Sequence, residues 1–524
     1  MKPLIDISYT EIIPGNKMLA DIISGKIQIG EAEKSCYMPD RSEISAALIE
    51  YNTKIGADEI AIANAHKIAT CSTKIISVGQ QPGLLCGPVY TMYKAITAIG
   101  IADNLSANGD EAVAIFWLAS DDDDRDETDH ISCWDKNFRQ YELKANWDDV
   151  AKWTPVGNLP IQQIFEVIDD FARITEDIEI AEWMREIANK SEDFGDFNAR
   201  MLSNLLSKYG LVICDSRLPA LRKLAIPAME REIDFPLVST GYVHASFTEY
   251  KNAGYNPPLD KPADLCNFFL MIDGTRRKVR YHDGKFIVNN YKELTADEMR
   301  EILVDSPELF IPNAALRPVV QEMVFCSYIF VAGPSEITYW AELTGIFAFF
   351  ETPMPELCTR SGATVYPQEI AAGFAAMGLN YYSPVGLLDG EKDIIDTWAR
   401  TALHEGDEDL FSEAEYNLTT LGNDITRACG AHDPTLINTA KAMQKKWLNE
   451  LERVKDKVMK AARRSIEVKM ERFRKLREVV YPAGNLQERN ISVVTFISKF
   501  GVIIIPRLLR IFDGKNGRHY LIEE

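Results

Sequence analysis

The stretch KIISVGQQPGLLCGPVYTMYK, Lys74 to Lys94, decides the fold. It opens with a short run rich in β-branched residues. It then passes through a turn carrying Gly79, Gly83 and Gly87, and from Val89 onward it has helical periodicity. A strand, a glycine-rich turn and a helix in that order begin a βαβ unit. Glycines permit positive φ and let backbone N–H groups approach an anion at a helix N-terminus. The turn is neither GxGxxG nor a P-loop, because no GK[ST] follows. A tight turn without a ligand is the alternative reading. The paired amides Gln80 and Gln81 favour a ligand, since they add donors and acceptors at the same edge. Tyr90 and Lys94 follow in the first turns of the helix. Cys86 reads as a buried thiol rather than a nucleophile, since no base is placed for it.

Further along the chain, AVAIFWLAS (Ala112 to Ser120) is an unbroken apolar run, as in a parallel strand covered on both faces. LVICDS at 211–216 and SYIFVAGP at 327–334 repeat the theme, each stopped by polar or Gly/Pro residues. Helical stretches lie between them. The fold class is therefore α/β, a mainly parallel sheet with helices on both faces. Ligands of such sheets bind beyond the carboxyl ends of the strands. Gly79–Gln81, Ser120–Asp124, Asp215 and Gly333–Glu336 are thus expected to converge on one crevice.

One edge of that crevice is FWLASDDDDRDETDH, Phe116 to His130, with four consecutive aspartates. Neighbours in an extended chain point to opposite sides. At most two of the four can then face one ion, either Asp122 with Asp124 or Asp121 with Asp123. Adjacent carboxylates raise one another's pKa, which suits acid–base work and equally suits a solvated loop. A Mg²⁺ site would use one or two of them with ligand phosphates. His130 closes the stretch as a candidate site residue. The third constellation, FVAGPSEITYWAEL (Phe330 to Leu343), repeats the strand–glycine–helix shape. Ser335 reads as its N-cap, Glu336 sits in the first turn where the helix dipole favours it, and Tyr339 and Trp340 follow.

A chain of 524 residues is long enough for two or three domains. It has no run of 18 or more uncharged apolar residues and no basic-then-apolar leader, so no membrane span is expected and a cytoplasmic location is. The nine cysteines form no CxxC pair and read as free thiols. A net charge of −21 argues against nucleic acid as a partner.

Two segments break the α/β rhythm. Residues 265–290 read as a β-hairpin or meander, with Asp-Gly turns at 273–274 and 283–284. Residues from about 366 to 480 are almost all helical. Their clearest piece runs from Asp433-Pro434 to Tyr481-Pro482, one helix of roughly 70 Å at 1.5 Å per residue. It is expected to project as an arm or to meet a second subunit. Its second half is basic, with Lys460, Arg463, Arg464, Lys469, Arg472, Arg474, Lys475 and Arg477. That is either a solvated face or a wall for a phosphate-bearing ligand. The closing NLQERNISVVTFISKFGVIII and the hairpin-like FDGKNGRHYLI are expected to rejoin the sheet domain.

GQQPGLLCGPVYTMYK, FWLASDDDDRDETDH, NAALRPVVQE, VAGPSEITYWAEL and NLQER-to-KFG together resemble, in order and spacing, the BshC family, the cysteine-adding enzymes of bacillithiol biosynthesis. DGTRRKVRYHDGKF resembles the insertion segment of that family. The resemblance covers about Asp40 to Gly501. It implies a Rossmann-like core with parallel sheet and connecting-peptide insertions, joined to a long α-helical coiled-coil domain. The organisation expected is a core over 1–365 with insertions at about 135–165 and 265–290, a helical domain over 366–485, and a segment 486–524 returning to the core.

The implied activity is ligation of the carboxyl of L-cysteine to the amine of glucosaminyl malate, with nucleotide-dependent activation, by ATP and Mg²⁺, as the natural route. No metal ligands are assigned. A homodimer through the helical domain is implied, and neither nucleic acid nor membrane as partner. Carried over to this chain, Asp122, Asp124 and Glu336 are the catalytic candidates. Gly79, Gln80, Gln81, Gly83, Gly87, Tyr90, Lys94, His130, Arg317, Gly333, Tyr339, Trp340 and Arg489 are the binding candidates. Arg489 suits the malate carboxylates, because guanidinium pairs bidentately with carboxylate. The chain departs from the family at Ser120–Asp124, where the pattern reads Gly-Glu-Asp-His-Asp. Asp123 replaces the histidine, Cys86 a threonine and Ser335 a glycine. A related ligase for another amine, and a non-catalytic coiled-coil dimer that binds a nucleotide, are the alternatives.

Overall fold

The four apolar runs are strands of one sheet: β1 (Lys74–Gln80), β2 (Ala112–Leu118), β3 (Val212–Asp215) and β4 (Ile329–Ala332). A fifth strand, β5 (Glu356–Thr359), joins them. The order is β5-β4-β1-β2-β3, and every neighbouring pair is parallel. All seven residues of β2 are buried, as an apolar run without alternation requires when both sheet faces are covered. The chain is seen here as a computed structural model that describes residues 5–13, 15–29, 39–379, 394, 397–398, 407–512 and 517–524.

Helix α1 (Tyr90–Ala107) is buried without a break from Thr91 to Ala102. It has no polar face because it is enclosed on every side. At Gly100 the chain crosses so closely that a Cβ would lie 2.9 Å from the carbonyl oxygen of Phe512. Three further helices bear on the site: α2 (Pro219–Leu224), α3 (Arg317–Phe325) and α4 (Glu336–Ala341).

The segment after residue 264 forms antiparallel strands Leu265–Ile272, Thr275–His282 and Lys285–Val288. Both Asp-Gly turns have positive φ at both residues, 49° and 72° at Asp273-Gly274 and 49° and 78° at Asp283-Gly284. That is the type I′ geometry which matches strand twist. Glu293–Leu294 and Phe310–Pro312 complete this five-stranded sheet. The C-terminal strand Arg518–Glu523 runs parallel to Gly362–Tyr366 and antiparallel to Ile5–Ser8. The expected hairpin at FDGKNGRHYLI falls partly on 513–516, outside the described residues.

The chain divides into two compact units, Met1–Tyr366 with Pro482–Glu524, and Pro367–Tyr481. In the second, Asp407–His432 and Leu436–Ser465 form an antiparallel helical pair, bridged where Gln444 Nε2 donates to the Thr419 carbonyl at 2.9 Å. The single long helix read from the sequence is two helices. Leu436–Ser465 spans 30 residues, about 45 Å. Ile466, at φ −99° and ψ 2°, separates it from Glu467–Val480. Asp433 caps a turn rather than the helix itself, accepting from Thr435 N–H at 2.8 Å. The side chain of Arg463, and much of 380–406, lie outside the described residues.

Candidate active site at the strand ends

A cavity of about 680 Å³ opens at the carboxyl ends of β1, β2 and β4. Gly79–Gln81, Asp121, Asp122 and Gly333–Glu336 form its near wall. The antiparallel sheet, α2 and the loop before Leu265 form the far wall, through Phe269, Arg276, Arg222 and Lys261. Asp215, expected on the crevice, instead lies below it. It is buried and paired with Arg217 at 2.8 Å, and Ser216 takes its place on the wall.

Lys94 reaches the near wall from α1 and is 4% exposed. Its Nζ donates to the Gly79 carbonyl (2.8 Å), Gln80 Oε1 (3.0 Å) and Glu336 Oε2 (2.7 Å). All three ammonium donors are thereby used. Burial pushes the Lys94 pKa down and Glu336 opposes the shift. Glu336 Oε2 also accepts from Gly333 N–H at 3.1 Å, and its Oε1 accepts from the Tyr339 hydroxyl at 3.4 Å. Tyr339 in turn accepts from Arg317 Nη2 at 2.9 Å, and burial raises its pKa. Glu336 is therefore a positioning carboxylate, which ties Lys94 to Tyr339 and through it to Arg317.

A second buried cation stands behind this wall. Arg360 donates to the Tyr9 hydroxyl and to Glu488 Oε1, each at 2.6 Å. Arg489 follows Glu488 and also faces the cavity; its side chain forms no hydrogen bond or ion pair among the described residues.

The aspartates do not alternate, because the chain turns at them. Asp121 Oδ1 pairs with Arg222 Nη2 at 2.5 Å, and Arg276 Nη1 donates to the Asp121 carbonyl. Asp122 Oδ1 accepts from the N–H groups of Asp123 (2.7 Å) and Asp124 (3.3 Å), and its carboxylate faces the cavity. Asp123 pairs with Arg276 Nη2 at 3.1 Å. Burial raises its pKa although Arg276 lowers it. Asp124 is exposed, accepts from Glu127 N–H at 3.2 Å and lies off the cavity wall. The expected pairing of Asp122 with Asp124 on one side is thus replaced by Asp121 with Asp122.

Residues 24–361 match the family described as Bacillithiol biosynthesis BshC, N-terminal Rossmann-like domain. Residues 363–524 match Bacillithiol biosynthesis BshC, C-terminal coiled-coil domain. The chain belongs to the BshC family. It is similar to a protein of Bacillus cytotoxicus named "Putative cysteine ligase BshC", at 28% identity over 92% of this chain and 90% of that one. Proteins of the same name from Bacillus cereus strain AH820 (26%, 98% of each chain) and Bacillus mycoides (26%, 92% of this chain and 90% of that one) are also similar.

In this BshC-family chain the cavity gathers Gly79, Gln80, Gln81, Tyr90, Lys94 and Asp122. From the other elements it takes Arg317, Gly333, Glu336, Tyr339 and Arg489. Gly83 and Gly87 lie apart from it. Their turn is buried and its amides are committed: Gly83 N–H to Asn198 Oδ1 (3.2 Å), Leu84 N–H to the Thr128 carbonyl (3.2 Å) and Val89 N–H to the Ile491 carbonyl (2.8 Å). It is a packed turn, not an anion cradle.

Cys86 is buried within it, and burial pushes the thiol up to about 12. Trp340 is fully buried, its ring 4.3 Å from that of Phe330, and belongs to the core. His130 is half exposed beside Asp129 (2.8 Å) and off the wall. Ser335 makes no cap bond; the Glu336 side chain satisfies Gly333 N–H instead. Sequence reasoning missed Arg222, Lys261, Arg276, Arg360 and Glu127. The run Arg276-Arg277-Lys278 beside an Asp-Gly turn was a usable signal for Arg276. Nothing local marks Arg222 or Lys261.

Proposed function

We propose that this chain joins the carboxyl of L-cysteine to the amine of glucosaminyl malate, the closing amide-forming step of bacillithiol biosynthesis. The observation that carries the reading is the cavity itself. In a BshC-family core, its wall holds Arg317, Arg489 and Lys261, and among the described residues no carboxylate forms an ion pair with any of them. Unpaired cations in a partly desolvated cleft select anionic ligands, and glucosaminyl malate carries two carboxylates.

Amide formation in water needs an activated carboxyl, and ATP with Mg²⁺ is the co-substrate of this reading that supplies the activation. The residues present fit phosphates through guanidinium groups rather than through the glycine turn, whose amides are taken. Arg317 and Arg489 are the groups available to them. The cavity-facing Asp122 suits a metal that takes one carboxylate and otherwise phosphate and water. Among the described residues no group of three or more His, Cys, Asp or Glu is disposed to hold a metal alone.

The chain's own chemistry follows from these positions. Asp122 orients the incoming amine. Glu127, on the same wall, has its pKa raised by burial and by Asp124 and Asp122. A carboxylate so raised is suited to take the proton the amine loses. Lys94 and Glu336 keep Tyr339 and Arg317 in place. A homodimer formed through the helical unit completes the reading. Incubation with cysteine, glucosaminyl malate, ATP and Mg²⁺ is expected to give the thiol amide, read by mass spectrometry. Repeated absence of product from folded protein would overturn the proposal.

A further inference from the structure

The far wall of the cavity carries three cations, Arg222, Lys261 and Arg276. Two are neutralised. Arg222 pairs with Asp121 and Arg276 with Asp123. Lys261 has no ion pair among the described residues. Its Nζ donates to Thr240 Oγ1 at 3.1 Å and to Asn267 Oδ1. An ammonium has three donors, so one is left over in a cavity wall. The geometry points to Lys261 as the anchor of a second anion subsite, on the loop before Leu265 in the same cavity as Lys94 and Glu336, which receives a carboxylate of the substrate. The inference rests on the ligase reading for the identity of that substrate, and deepens it.

The subsite is built rather than incidental. Asn267 is fully buried and fixed on every side. Its Nδ2 donates to Ser239 Oγ at 2.7 Å, and its Oδ1 also accepts from Asn313 Nδ2 at 3.1 Å. Leu259, two residues before Lys261, is held by the buried Glu342, whose Oε1 accepts its N–H at 3.2 Å. The lysine does not serve the fold in an obvious way. Thr240 still donates to the Leu265 carbonyl at 2.7 Å without it, and Asn267 Oδ1 keeps Asn313. Burial pushes the Lys261 pKa down to about 8, with Glu232 opposing. A charge held against that penalty gains when a carboxylate arrives.

The carboxylate belongs either to cysteine or to the malyl group, and calorimetry separates the two. Binding of L-cysteine, L-malate and glucosaminyl malate is measured on the wild type, Lys261→Met and Lys261→Arg. At least one of these ligands is expected to lose about tenfold or more in affinity in Lys261→Met, as for a hydrogen bond to a charged group. Lys261→Arg is expected to retain most of it. Loss for cysteine alone assigns the donor; loss for both malyl ligands assigns the acceptor.

A wild-type measurement covers the case in which Lys261→Met fails to fold. Reductive methylation of Lys261, read by mass spectrometry, is expected to slow when the bound carboxylate is present. Equal binding by the wild type and a folded Lys261→Met, or methylation of Lys261 unaffected by every one of these carboxylates, overturns the subsite. Lysine-dependent binding without any amide product overturns the ligase reading and leaves the subsite standing.

Discussion

Asp123, one of the positions at which the resemblance leads to another residue, has a partner rather than a proton to move. It pairs with Arg276, which also packs over the Phe269 ring at 4.1 Å. Asp123→His would leave Arg276 with Asp122 at 4.0 Å as its remaining carboxylate. Thermal denaturation is expected to show a loss of about 1–3 kcal/mol, the usual cost of breaking a charge-assisted contact. An unchanged melting temperature together with faster turnover would mean that the Asp123–Arg276 contact does not hold the wall.

The buried pair Lys94–Glu336 makes a second residue-scale case. Glu336→Gln or Lys94→Met alone is expected to cost about 3–5 kcal/mol, since each leaves an uncompensated buried charge. The double variant should recover part of that loss in urea unfolding. Strictly additive losses would show that the two groups do not interact. Neither pairing was legible beforehand, because both join residues more than 150 positions apart in the chain.

At the scale of elements, strands were easy to read and loops were not. The first four parallel strands, β1 to β4, are mainly apolar runs with little solvent face, so the run itself marks them. Both Asp-Gly turns declared themselves, because positive φ at two successive residues strongly favours that dipeptide. β5 escaped notice because its pattern, ELCT, is too short and too mixed. The glycine turn after β1 was placed correctly, and Gly79–Gln81 reach the cavity as expected; that Gly83 and Gly87 lie apart from it, with the Gly83 and Leu84 N–H groups engaged by Asn198 and Thr128, is set by tertiary hydrogen bonds the sequence does not show.

The C-terminal strand carries a further consequence. His519 is fully buried, and burial pushes its pKa down to about 4 while Glu488 opposes. In the unfolded chain it would titrate near 6.5. The folded state therefore binds fewer protons between those values. The contribution is complete above about pH 6.5 and is lost as pH falls toward 4. The stability difference between wild type and His519→Gln is expected to shrink by about 3 kcal/mol over that window. A pH-independent difference would place a proton on the folded-state ring.

At the scale of the whole molecule, the helical unit and the sheet unit pose different questions. The helical pair exposes an apolar groove of about 370 Å³, lined mainly by Leu418, Leu421, Trp447, Leu451 and Val454. Leu421 and Val454 are each 50% exposed. Light scattering is expected to find a dimer in the wild type and a monomer in Leu421→Glu/Val454→Glu. A variant that stays dimeric would place the interface elsewhere. The sheet unit was legible as an α/β fold, and a crevice at its strand ends with it. Which cations remain free to meet a ligand was not, since that depends on which carboxylates reach them.

In the proposed ligase those free cations bind the substrate. Product formation from cysteine, glucosaminyl malate and ATP, compared by mass spectrometry between wild type and Arg317→Met/Arg489→Met, tests it most directly. Product is expected from the wild type. A loss of about 100-fold or more is expected in the variant, two charge-assisted contacts being removed, with its melting temperature near that of the wild type. Wild-type rates in the variant would contradict it.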